Sequence, residues 1–263
     1  MDLELRGRHA LVVGASRGIG LETWRQLAAE GALVTVAGHR RETLEAAAAE
    51  HGLEPAGTVV LDIADEASID AALAELDAAG TPVEILVISV ARPGFDSIWE
   101  FDVTEWERNL RTKYIGPGHL ARRVAQRMAT AGNGGVIVLL SGIASTGAMG
   151  DTLATGGANA AIDNYVKLLA SAAGPAGVRV LAVSPGTTVT PRFEQWASEE
   201  TVAAMSDLVP LRRLGSAAEL ASVVTFLCSP RGGYVNGTTV VVDGGLTSAA
   251  RYRATLGAAE SQR

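Results

Sequence analysis

Disulfide chemistry is missing from this chain. Its 263 residues include one cysteine, Cys228, so no bridge within the chain can form, and a reducing, cytoplasmic setting is expected. Cys228 lies in the apolar run VVTFLCSP, where a buried structural thiol is expected rather than a nucleophile. No apolar run has the length that spans a bilayer. The opening MDLELRGRHALVVG carries charges where the apolar stretch of a signal peptide would lie, so no membrane partner is expected. A long basic run is also absent, and the formal net charge is −7. Binding nucleic-acid phosphates needs a basic face, so nucleic acid is not an expected partner. The short pairs Arg40-Arg41 and Arg122-Arg123 suit solvated helix surface. The histidines at 9, 39, 51 and 119 stand without the spacing of metal ligands, so no metal is expected.

What the chain has is 48% apolar residues arranged in alternation, enough to bury a good core. Short β-branched runs read as strands at 9–14, 32–38, 57–63, 83–89, 134–142, 178–186 and 238–245. Between them, Ala-rich stretches read as helices at 20–31, 41–52, 65–80, 103–132, 151–173 and 216–229. Thr104 with Glu107 is a candidate capping box for the long helix. Strands that are continuous apolar runs are buried on both faces, which predicts a parallel sheet with helices on each side. In such a sheet ligands bind beyond the carboxyl ends of the strands, where strand order reverses. Functional residues are therefore expected just after strands.

The stretch VVGASRGIG puts Gly14, Gly18 and Gly20 between the first strand and the first helix. Glycine permits a tight turn and a close approach of backbone to a pyrophosphate, and the helix N-terminus adds unpaired N–H groups. About twenty residues on, a site for NAD carries an acid that holds the ribose 2′-hydroxyl. Here the second strand ends Gly38-His39-Arg40-Arg41, with no acid, and Arg17 lies inside the glycine loop. Two readings stand: these cations suit the 2′-phosphate of NADP(H), or Arg40 and Arg41 simply open a surface helix.

Several motifs in order make the chain similar to the classical short-chain dehydrogenase/reductase family over essentially its whole length. They are GASRGIG (14–20), LDIAD (61–65), VSPGTTVTP (183–191), PLRRLGSAAELASVVTFLCSP (210–230) and YVNGTTVVVDGG (234–245). The resemblance implies a Rossmann-type doubly wound α/β fold with a seven-stranded, mainly parallel sheet. One domain would cover 1–246, with a lid at about 187–210 and an extension at 247–263. It implies a nicotinamide cofactor, here NADP(H), held by Gly14, Ser16, Arg17, Gly18, Ile19 and Gly20, then His39 and Arg40. Asp62 would hold the adenine amino group beside Ile63. Ser89, Val90 and Ala91 would wall the cofactor, and Pro185, Gly186, Thr188 and Thr190 would meet the nicotinamide end. Phe193 and Trp196 would either give the lid an apolar inner face or pack within it. A homo-tetramer or homo-dimer through the helices 103–132 and 151–173 is also implied.

The family works with an Asn, a Ser and a Tyr-x-x-x-Lys pair. At the matching positions this chain has Lys113, Gly142 with Ser141 before it, Thr155 and Asn159. An aliphatic hydroxyl cannot stand in for a phenol, whose reference pKa is about 10. Lys113 has two possible roles. It either swings into the pocket, where desolvation would let it act as an acid near neutral pH, or it snorkels outward or pairs with an acid. Ser141 is a candidate donor to a substrate oxygen, and Arg92, Asp96 and Asp151 are expected at the pocket border. Tyr165 and Lys167 do not have the spacing to rebuild the missing pair, and Tyr165 is expected to pack. Three functions are compatible with this pattern. The first is an NADPH-dependent reductase of a carbonyl, imine or enone in a small molecule, with a non-standard proton source. The second is a non-redox cyclase, isomerase or dehydratase. The third is an inactive cofactor-binding protein.

Overall fold

Val-, Ile- and Leu-rich runs pair as strands, and the Ala-rich stretches between them wind as helices. The computed structural model describes residues 2–80, 82–91, 99–100, 102–147 and 153–248. The first half runs β1 (His9–Val13), α1 (Gly18–Ala29), β2 (Leu33–Gly38), α2 (Arg41–His51), β3 (Gly57–Val60), α3 (Glu66–Ala78) and β4 (Ile85–Ile88). It continues through α4 (Val103–Leu110), a π-helical turn at Arg111–Ile115, α5 (Gly116–Ala131), β5 (Gly135–Leu140), α6 (Leu153–Ala173) and β6 (Val178–Pro185). The last part holds β7 (Thr188–Val189), α7 (Pro191–Glu194), α8 (Glu199–Leu208), β8 (Gly215–Ser216), α9 (Ala217–Cys228) and β9 (Thr239–Val242).

The seven-stranded sheet has the order β3-β2-β1-β4-β5-β6-β9, and every pair in it is parallel. Strand order reverses between β1 and β4, so their carboxyl ends open a crevice. Alternation along β1 serves both layers. Ala10 and Val12 pack with Trp24, Leu44 and Leu220 from α1, α2 and α9. Leu11 and Val13 pack with Leu73, Leu120 and Val166 from α3, α5 and α6. Each large apolar side chain so buried contributes about 1.5–3 kcal/mol. Cys228 sits in the first layer, fully buried, and burial pushes its thiol up to about 12, as fits a structural role.

Two features differ from the sequence reading. The helix expected over 103–132 is interrupted: the Gly116 N–H bonds to the Arg111 carbonyl, five residues back, and this π-helical turn shifts the register between α4 and α5. The cap of α4 is Asp102, whose carboxylate accepts from Thr104 N at 2.8 Å. A carboxylate at a helix N-terminus also gains from the helix dipole, and Thr104 lies inside the first turn. Beyond β6, the segment after Gly186 builds its own small cluster of Phe193, Val209 and Leu214, with Val189, Val202 and Met205 against it. Phe193 therefore packs within this segment, and Trp196 meets it edge-on at 5.0 Å. Among the described residues no helix is long and apolar enough to cross a membrane.

Candidate active site

The crevice between β1 and β4 is lined with backbone because two glycines bring loops into contact. A Cβ on Gly14 would overlap the Ser89 carbonyl oxygen, and one on Gly20 would overlap the Gly14 carbonyl oxygen. Gly14 has φ +83° and Gly18 φ +58°, the left-handed region that glycine adopts without strain. Helix α1 starts at Gly18 without a side-chain cap, so its first N–H groups remain available to an anion. Gly20 thus acts by packing, as the first turn of α1 rides on the loop.

The resulting cleft has a volume of about 620 Å³. Its walls include Gly14, Ser16, Arg17, Gly18 and Ile19 from the glycine loop, and His39 after β2. Asp62 and Ile63 after β3, Ser89, Val90 and Ala91 after β4, and Thr190 also line it, whereas Gly20 is not among its described walls. Asp62 caps its own turn through Ala64 N at 2.9 Å and stands 3.5 Å from His39 Nδ1. Cations that the sequence reading missed also line it: Arg108 and Arg111 beside Thr112, and Arg192 after Pro191. Arg108 and Arg111 are three apart on one helix face, and Arg192 comes two residues after Thr190, so both spacings were visible in the sequence. Arg108 pairs with Glu105. The cavity, its glycine floor and its cationic walls suit an anionic dinucleotide.

Other expected positions lie elsewhere. Arg40 is exposed at the start of α2 and is not among the cleft's described walls. Pro185, Gly186 and Thr188 are also not among those walls. Thr188 Oγ1 bonds the Gly186 carbonyl at 2.9 Å, and Gly186 rests against Asp243 Cα. The Thr190 hydroxyl accepts from Phe193 N at 3.3 Å and so caps α7.

The four candidate catalytic residues, Lys113, Ser141, Thr155 and Asn159, are also not among the cleft's described walls. Lys113 does turn inward and is 5% exposed. Its ammonium donates to the carbonyls of Leu140 at 2.7 Å, Val90 at 3.2 Å and Ser141 at 3.4 Å. Those acceptors match the three donors of an ammonium. Burial brings its pKa down to about 8, against a raising influence from Asp163. Asn159 is buried under Gly142, where a Cβ would lie 2.7 Å from Asn159 Nδ2. Its Oδ1 has no hydrogen-bond partner among the described residues. The Ser141 hydroxyl donates to the Asn159 carbonyl at 3.3 Å. Tyr165 packs, as expected: its hydroxyl donates to the Gly118 carbonyl at 2.7 Å, and burial raises its pKa to about 12. Arg92, Asp96 and Asp151 lie outside the described residues.

Comparison with known proteins agrees with this geometry. The family described as enoyl-(acyl carrier protein) reductase matches residues 14–247. L-xylulose reductase of Mus musculus is 34% identical over 251 residues, covering 93% of this chain and 98% of that protein. The 3-oxoacyl-[acyl-carrier-protein] reductase FabG of Haemophilus influenzae is 31% identical over 242 residues, covering 92% and 99%. A crystal structure of a candidate gluconate dehydrogenase from Agrobacterium tumefaciens superposes with a TM-score of 0.88 at 28% identity, covering 94% and 98%. With a glycine-floored crevice at the strand-order reversal and relatives matched end to end, this chain belongs to the classical short-chain dehydrogenase/reductase family of oxidoreductases.

Proposed function

We propose that the protein is an NADPH-dependent reductase of a small-molecule carbonyl, imine or enone, and that its proton comes from water or from the substrate. The observation that carries this reading is the cation-lined, glycine-floored cleft. Gly14, Gly18 and the first turn of α1 would hold the pyrophosphate, and Asp62 and Ile63 the adenine. Arg17, with no acid after β2, favours the 2′-phosphate. When bound, the nicotinamide supplies hydride. The chain's own part is to bind, orient and exclude water, which can supply much of a rate.

Lys113 is better suited to holding the site than to protonating a substrate, because its three donors already meet carbonyl oxygens. That bonding ties the end of β5 to Val90, a wall of the cleft. Thr155 offers no acid of useful strength. A substrate whose reduction needs no side-chain acid, such as an iminium or a polarised enone, fits such a centre.

The test is titration calorimetry of NADPH and NADH on the cofactor-stripped protein. Tight NADPH binding, well beyond NADH, is expected; binding of neither would sink the proposal. A second reading, an inactive dinucleotide-binding protein, draws support from the position of Lys113, Ser141, Thr155 and Asn159 outside the cleft's described walls. NADPH binding without NADPH consumption across a panel of carbonyls, imines and enones would favour it.

A further inference from the structure

Two guanidinium groups share the cleft without a carboxylate partner among the described residues. Arg17 belongs to the glycine loop and Arg192 to α7 in the lid, and both line the cavity. The two segments touch beneath them, since a Cβ on Gly18 would meet Thr190 Cγ2 at 3.5 Å. The lid backbone around Arg192 is fixed on both sides. Thr190 caps α7 through Phe193 N, and Phe193 is anchored in the cluster with Val209 and Leu214. Arg192 is thus carried by a rigid piece of the lid and directed into the crevice. Burial, and then the charge of Arg17, lowers its pKa. Two like charges in a half-enclosed cleft, neither neutralised, are an arrangement that an anion between them would relieve.

We infer that Arg192 is a positioning residue that clamps the cofactor's pyrophosphate from the lid side, so that the lid closes on the same anion that the glycine loop holds from below. The inference rests on the dinucleotide reading of the cleft and adds a lid contact to it. The pyrophosphate is favoured over the 2′-phosphate because Thr190, two residues before Arg192, lies against Gly18 at the start of α1. With the anion present, the Arg192 guanidinium is satisfied and the lid is held. Without it, the lid lacks that contact.

The test compares wild type with Arg192→Met, Arg192→Gln and Arg192→Lys. Calorimetry gives the affinity for NADPH and for NADH, and hydrogen exchange tracks lid amides 191–208 with and without NADPH. Loss of one charge-assisted contact weakens binding roughly 10- to 100-fold. The expected loss is equal for NADPH and NADH, because the pyrophosphate is common to both. NADPH slows lid exchange in wild type but not in Arg192→Met or Arg192→Gln, and Arg192→Lys restores part of both effects. Unchanged affinity, or lid protection retained in the variants, overturns the inference. So does a loss confined to NADPH, which would assign Arg192 to the 2′-phosphate. If wild type binds neither cofactor, the dinucleotide reading fails first, and that result is separate from any difference among variants. Lid exchange without cofactor, unchanged by the glutamine variant, excludes a folding defect.

Discussion

At the scale of single residues, Lys113 gives the sharpest expectation. Its folded pKa of about 8 lies below the usual value for lysine. Between about pH 8 and the unfolded value of about 10.4, the unfolded chain therefore binds more protons, and stability rises with pH. The burial of this charge costs stability at neutral pH, about 3 kcal/mol from the shift, and that cost fades as the pH climbs. Wild type should accordingly gain on Lys113→Met by a few kcal/mol between pH 7 and 10 in denaturant titrations. A difference that stays flat with pH would remove Lys113 from this role. A second expectation concerns Gly142. A side chain there would press on Asn159 Nδ2, so Gly142→Ser should destabilise by about 1–3 kcal/mol. In a double-mutant cycle with Asn159→Ala, part of that loss should return, because the two sites share one volume. The sequence made these positions legible as substitutions but not their side-chain directions. Lys113 lies inside the π-helical turn, where α-helical periodicity does not tell which way a side chain faces.

At the scale of elements, charge and capping decide how helices dock. Helix α5 presents His119, Arg123 and Arg127 to Glu66, Asp70 and Asp77 on α3. The hydrogen-bonded Arg127 guanidinium holds the Asp77 carboxyl below its ordinary range. These groups are solvated, so Arg127→Ala should cost at most about 1 kcal/mol. Helix α9 starts with a reciprocal cap. Ser216 Oγ accepts from Glu219 N at 3.2 Å, and Glu219 accepts from Ser216 N at 2.9 Å. Ser216→Ala should lower the unfolding free energy by about 1 kcal/mol. Chemical denaturation checks both, and a reversed ranking would contradict this account of the two helices. Most boundaries were readable, because glycine marks them: Gly52 and Gly132 stand just past α2 and α5 in the left-handed region. The break after Leu110 is announced by Gly116-Pro117-Gly118, since Pro117 has no N–H for the Lys113 carbonyl, but the π-helical form it takes was not readable.

Across the whole molecule, net charge and local charge have opposite signs. The chain carries −7 overall, yet Arg17, Arg108, Arg111 and Arg192 gather at one cleft. Such a cleft focuses potential on an anion. NADPH at a hundred times its dissociation constant should stabilise the fold by about 2.7 kcal/mol. The rise in thermal midpoint should exceed that with NADH and shrink as salt screens the arginines. The doubly wound sheet was legible because seven apolar runs alternate with helices, and the Gly14, Asp62 and Ser89 stretches were placed by their positions after strands. The direction of Arg192 and Arg111 was not legible, because a cation on a helical turn looks the same in sequence whether it faces solvent or a shared cavity.

The π-helical turn at Arg111–Ile115 also has a consequence for chain length. It holds one residue more than an α-helical path would need, and that residue rotates α4 by about 100° relative to α5. Removing Thr112 would let the helix run straight through. Arg108 of α4 and Arg111 of the turn would then leave the cleft while α5 kept its seat against the Ile63 carbonyl at Gly116. A single deletion could thus strip two charges from the cavity without replacing either arginine.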